Sequence, residues 1–168
     1  MRTLFTLTFA AVALAGLAAC GPQEQVVRPE AAQAAGVAIS SVVVRPGSAG
    51  GATAAYLTVT SDAADRLLSV RSTLAERAEL HETTTDADGL TSMQPVAQGA
   101  PINPGAPLVL QPGGLHIMLF NLAHDVPEGG AVDLELTFEK AGVVAAAATV
   151  GQPGVPAAAA AAGGDHAH

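Results

Sequence analysis

The chain has 168 residues, 13% of them charged and 3% aromatic, with 15 acidic against 7 basic side chains and a formal net charge of −8. So acidic a chain with so few aromatics does not read as a nucleic-acid binder, which carries a basic patch. The single cysteine, Cys20, excludes an internal disulfide and a CxxC redox pair, so any metal must be held by His, Met and carboxylates.

Taken in chain order, Arg2 supplies a short positive start and Leu4 to Leu17 an apolar stretch rich in Ala and Leu. Leu17-Ala18-Ala19-Cys20 then looks like a bacterial lipobox ending in the cysteine that receives lipid. A membrane-spanning helix needs about 20 apolar residues, and this stretch is shorter and stops at small residues before Gly21-Pro22. Residues 1–19 are therefore expected to be a lipoprotein signal peptide, with Cys20 as the lipidation site. Residues 20–36, polar and Ala-rich, are the expected tether. That places the body in the periplasm or cell envelope. Gly21 is not the Asp that commonly retains lipoproteins in the inner membrane, so an outer-membrane anchor is favoured in a two-membrane cell.

From Val37 the texture changes to short apolar runs broken by Gly, Pro, Asp and Asn, the pattern of an all-β domain. Strands are expected at Val37–Val44, Ala54–Thr60, Leu67–Ser72, Ala78–Thr83, Leu90–Val96, Leu108–Leu110, Leu115–Leu122, Val132–Glu139 and Val143–Val150. Val132, Leu134, Leu136 and Phe138 alternate with Asp133, Glu135, Thr137 and Glu139, giving one apolar and one polar face. Lys140-Ala141-Gly142 is a tight connection into Val143–Val150, predicting a hairpin. Leu74–Arg77 has the composition of one helical turn, too short to alter the class. A single β-sandwich or barrel over residues 37–151 follows. Residues 152–168, an Ala/Gly tail ending Asp165-His166-Ala167-His168, are expected to be disordered, because short isolated helices are marginal in water.

Only Met93 and Met118 remain once the initiator methionine is set aside, and each stands near a histidine-containing segment. In a strand, His116 and Met118 project from one face about 6.6 Å apart along the chain. Ile117 and Leu119 then point into the core. Asp86-Ala87-Asp88-Gly89 reads as the tip of a hairpin that returns Met93 toward His81. Two imidazoles and two thioethers form a soft, neutral donor set that favours Cu(I). The ordinary uses of these side chains are gap-filling for Met and a surface or structural hydrogen bond for His. His124, beside Asp125, reads as part of a surface turn. His166 and His168, beside Asp165, suggest an auxiliary Cu(II) site of modest affinity.

The run from His81 through Glu82, ten residues (Thr83–Ser92), Met93, twenty-two residues (Gln94–Leu115) and His116-Ile117-Met118 resembles the ligand pattern of the periplasmic copper chaperone family PCu(A)C. Glu82 stands where that pattern has an optional Met, and the second spacer is about one residue longer. The extra residue is expected in the turn-rich stretch Pro101–Pro107. Flanking segments are similar too: Ala78-Glu79-Leu80-His81, Leu110-Gln111-Pro112-Gly113-Gly114-Leu115 and Val126-Pro127-Glu128-Gly129-Gly130. The resemblance covers about Val37 to Val150. It implies a cupredoxin-like (immunoglobulin-like) β-sandwich binding one Cu(I) through His81, Met93, His116 and Met118. It also implies delivery of copper to a cytochrome oxidase copper-site subunit or a thiol-containing assembly factor, by ligand exchange and without catalysis. No G-x-S-x-G nucleophile elbow occurs, and the His/Met set suits a hydrolytic zinc site poorly. The alternative is a non-metal β-sandwich lipoprotein that docks a protein or glycan.

Overall fold

The computed structural model describes residues 32–34 and 36–154. The expected signal peptide, Cys20, His166 and His168 lie outside the described residues. The described part is all β, with eleven strands: β1 (Ala32–Ala34), β2 (Val37–Val44), β3 (Ala52–Ser61), β4 (Asp65–Arg71), β5 (Ala75–Thr85), β6 (Thr91–Pro95), β7 (Ala100–Ile102), β8 (Leu108–Leu110), β9 (Leu115–Leu122), β10 (Ala131–Phe138) and β11 (Gly142–Val150).

The strands are hydrogen-bonded in the order β6-β5-β9-β3-β2-β11-β10-β4-β7, with β1 on β2 and β8 on β3. This continuous path folds over into a sandwich because β2 serves both layers. It runs antiparallel to β3 and meets β11 in parallel at Val43 and Val44. A bulge between Ser40 and Val43, with Ser41 at φ 54°, bends β2 between the two tasks. Apolar alternate residues from both layers meet in one core that includes Ile39, Leu57, Leu67, Ile117, Leu134 and Leu136. That apolar interior is the main stabilising contribution, at about 25 cal/mol per Å² of apolar surface removed from water.

The expected β10–β11 hairpin is present, with Phe138 opposite Gly142 and Ala131 opposite Thr149. Three segments differ from expectation. Ala32–Ala34, in the stretch expected as tether, pairs with β2 through a turn at Gly36, whose φ of 81° suits glycine. Ala100–Ile102, at the start of the expected turn-rich stretch, is a short edge strand on β4. Leu74–Arg77 is not a helical turn. Leu74 enters the core, and Ala75 and Arg77 already pair with Leu122 and Phe120, so sheet pairing overrides local helix propensity.

The layer that carries the predicted ligands is β6-β5-β9-β3. β3 pairs with β9 along Ala52–Ala55 and with β8 along Leu57–Val59. The two are joined by a turn over Gln111–Gly114, where the Gly114 N–H donates to the Gln111 carbonyl at 3.2 Å. Gly113 sits there at φ 78°, a conformation that side-chain-bearing residues rarely adopt.

Candidate metal centre

Strand pairing brings all four predicted ligands to one face of the β6-β5-β9 ladder. His81 is directly opposite His116, Glu79 opposite Met118 and Thr83 opposite Met93. Residues two apart on a strand share a face, so Glu79, His81 and Thr83 carry Met118, His116 and Met93 onto the same side. Leu80, Ile117 and Leu119 occupy the other side, in the core.

The four are unequally exposed. His116 is buried, at 4% exposure, and the His81 side chain is 12% exposed. Met118 is half-buried, while Met93 on the edge strand is 51% exposed. The two imidazole centroids are 6.2 Å apart with the rings tilted by 46°. A metal ion about 2 Å from one nitrogen of each ring fits between centroids at that separation. Met93, His116 and Met118 line a common open cleft of about 520 Å³ together with Tyr56, Thr83 and Arg45. His81 is not part of that wall and flanks it from β5. Among the described residues, no three or more His, Cys, Asp or Glu side chains are grouped to hold a metal ion. The soft donors that share this face with the two imidazoles are the thioethers of Met93 and Met118.

Hydrogen bonds set the protonation of each ring. His116 Nδ1 lies 2.8 Å from the Gly114 carbonyl oxygen, which can only accept, so Nδ1 carries the proton and Nε2 keeps its lone pair. The same carbonyl accepts the Thr83 N–H at 3.1 Å, tying the turn to β5. His81 Nε2 donates to Glu79 Oε2 at 2.9 Å. That hydrogen bond is the largest influence on the Glu79 carboxyl. Against a smaller opposing effect of desolvation, and helped by the Arg77 charge, it holds the group below its ordinary pKa. His81 Nδ1 is buried and has no hydrogen-bond partner among the described residues. A buried polar atom left unpaired is costly, and an imidazole nitrogen whose lone pair is unengaged suits a metal.

Aromatic rings surround the pair. Tyr56 lies 6.4 Å from His116, and Phe120 lies 5.8 Å from His81, centroid to centroid. The Arg77 guanidinium sits 4.6 Å over the Phe120 ring and 3.0 Å from Glu79 Oε1. Sequence reasoning passed over Tyr56, Glu79 and the Gly114 carbonyl. Glu79 had a legible signal, standing two residues before His81 on a strand. Tyr56 had none, because its place depends on β3 pairing with β9. His124 is exposed, with Nδ1 donating to the Asp125 carbonyl at 2.9 Å, and stands apart from this face as a surface turn residue.

Comparison with known proteins agrees with the architecture. Residues 37–150 match the family model of the LpqE-like lipoproteins. Lipoprotein Lxx21020 of Leifsonia xyli subsp. xyli is 34% identical over 140 residues, covering 82% of both chains. Among solved structures, the apo PCuAC domain of PmoF1 superposes with a TM-score of 0.61 at 21% identity, over 74% of this chain and all of that one. The Cu(I) form of DR1885 from Deinococcus radiodurans superposes with a TM-score of 0.53 at 29% identity, over 75% of this chain and 83% of that one. The expected PCu(A)C resemblance and cupredoxin-like β-sandwich are thereby borne out.

Proposed function

The chain belongs to the LpqE-like lipoprotein family, and from that premise we propose that it is an envelope copper chaperone. It takes one Cu(I) between His81, Met93, His116 and Met118. The observation that carries this reading is the facing imidazole pair, with an unpartnered buried Nδ1 on His81 and two thioethers on the same sheet face. The relationship to DR1885, whose structure includes a Cu(I) form, supports it.

Two neutral nitrogens and two thioethers leave the ion its single positive charge and favour Cu(I) over Cu(II), since thioethers are soft donors. Met93, exposed on the edge strand, is the ligand a partner reaches first. Stepwise replacement then passes through the open cleft, with no bond made or broken on a substrate. The recipient is a cytochrome oxidase copper-site subunit or a thiol-containing assembly factor. A lipid on Cys20 holds the chaperone at the membrane, on the outer membrane of a two-membrane cell. His166 and His168 form an auxiliary Cu(II) site.

Titration of the purified protein with Cu(I) against a competing chelator tests this. One tight equivalent is expected, lost when Met93→Leu and Met118→Leu are combined. A parallel titration with Cu(II) should show an equivalent that disappears when His166 and His168 are both changed to Ala. Absence of the Cu(I) equivalent would leave the non-metal docking module as the better reading.

A further inference from the structure

We propose that Glu79 is a positioning residue that decides which nitrogen of His81 meets the metal, so that copper is held by Nδ1 of His81 and Nε2 of His116. The inference rests on the Cu(I) reading above and deepens it.

Imidazole offers one donor and one acceptor nitrogen when neutral, and the partner of one nitrogen determines the state of the other. At His116 that partner is the Gly114 carbonyl on Nδ1, which leaves Nε2 available. At His81 the order is reversed. Glu79 Oε2 accepts the Nε2–H at 2.9 Å, and the buried Nδ1 is left with its lone pair and no partner among the described residues. Both assignments follow from partners that only accept, so they are independent of each other.

Glu79 is itself held in place. Its other oxygen, Oε1, lies 3.0 Å from Arg77 Nε, and Arg77 is stacked 4.6 Å over Phe120. Phe120 in turn packs 5.8 Å from the His81 ring. These contacts close a loop: arginine orients the carboxylate, the carboxylate orients the imidazole, and the phenyl ring packs between the two ends. With one oxygen on Arg77 and the other on His81, Glu79 is engaged on both sides and does not present itself as a ligand. Arg77 also offsets its charge, which keeps the donor set close to neutral and selective for Cu(I). A carboxylate on the second nitrogen of a ligating histidine fixes the ring and raises its basicity. Glu82, the other carboxylate beside His81, cannot do this. It faces the opposite side of β5, paired with Leu115, and is exposed.

The test uses the full chain labelled with ¹⁵N-histidine, at a pH where both rings are neutral. Long-range ¹H–¹⁵N correlation identifies the protonated nitrogen of each ring before and after one equivalent of Cu(I), and a chelator competition gives the affinity. Without copper, His81 should be the Nε2–H tautomer and His116 the Nδ1–H tautomer. Copper should then move the His81 Nδ1 and His116 Nε2 resonances. Glu79→Leu should lose the His81 tautomer preference and about 10- to 100-fold in Cu(I) affinity. Glu79→Gln, whose amide oxygen still accepts the Nε2 proton, should keep the tautomer and lose less, and Glu82→Gln should change neither. Copper on His81 Nε2, or a Glu79→Leu protein with unchanged affinity, overturns the role of Glu79 alone. A wild-type chain that takes up no Cu(I) overturns the copper reading itself.

Discussion

Strands β9 and β10 have the same alternation and opposite uses for it. On β10, Val132, Leu134, Leu136 and Phe138 enter the core while Asp133 and Glu135 stand in water. On β9, Ile117 and Leu119 enter the core, yet the outward His116 is also buried and Met118 and Phe120 are half-buried. The neighbours explain the difference. Asp133 faces Ala147 and Glu135 faces Ala145, side chains too small to shade them, and on its other flank Glu135 faces Arg71, itself exposed. His116 faces His81 and has Tyr56 on its other flank, two rings that withdraw it from solvent. Alternation therefore marks a strand, and what the adjacent strands place around its outer face decides whether that face is solvated or withdrawn from water.

Three changes sharpen this contrast. The largest effect is expected at the inner face of β10. Leu136 is fully buried against Val70 and Val144, and Leu136→Ala should cost about 2–5 kcal/mol in denaturant unfolding. A loss below about 1 kcal/mol would mean that this face is not core.

Asp65 anchors the turn that follows β10. Its Oδ1 accepts the Arg66 and Lys140 N–H groups at 2.7 and 2.9 Å, and Oδ2 accepts the Ala141 N–H at 3.0 Å. Burial pushes the carboxyl pKa up, but these three N–H groups and the Lys140 charge outweigh it, leaving the group below its ordinary value. Above that ordinary value the carboxylate is ionised in both the folded and unfolded chain, and its full contribution is present. As pH falls below about 4 the unfolded chain takes the proton first, so stability should drop. Asp65→Asn should cost about 1–3 kcal/mol near neutral pH and should flatten that acid-side slope in pH-dependent unfolding.

The smallest effect on stability belongs to the outer face of β9. His116→Leu replaces a buried imidazole by an apolar group of similar size, and should alter unfolding by less than about 1 kcal/mol. The same change should abolish Cu(I) binding in the chelator competition. A large loss of stability instead would make His116 a core residue like Leu136.

Much of the fold was legible. Val37–Val44, Leu108–Leu110 and Leu115–Leu122 were anticipated to the residue, and the β10–β11 hairpin followed from its period and its Gly142 turn. The short edge strands were not. A three-residue strand such as Ala100–Ile102 is too brief to show alternation, and its place is set by its partner. Gly99 precedes it at φ 70°, where a Cβ would lie 2.3 Å from the Leu67 carbonyl oxygen, so close an approach of β7 to β4 needs glycine. Ala75–Arg77 misled for the opposite reason, since helix-forming residues were recruited by pairing with Phe120 and Leu122.

The sequence by itself determined the all-β class and the shared face of His116 and Met118. It also carried the resemblance that joined them to His81 and Met93, because strand period and residue spacing are local properties of the chain. Only the tertiary structure decided that His81 faces His116 across β5 and β9, that Met93 falls opposite Thr83 and stays exposed, and that Tyr56 shades His116. It alone also placed the acceptors differently on the two imidazoles, beside Nε2 on His81 and beside Nδ1 on His116. Register and hydrogen-bond partners arise between strands distant in the chain, and no local pattern specifies which acceptor will stand beside which nitrogen.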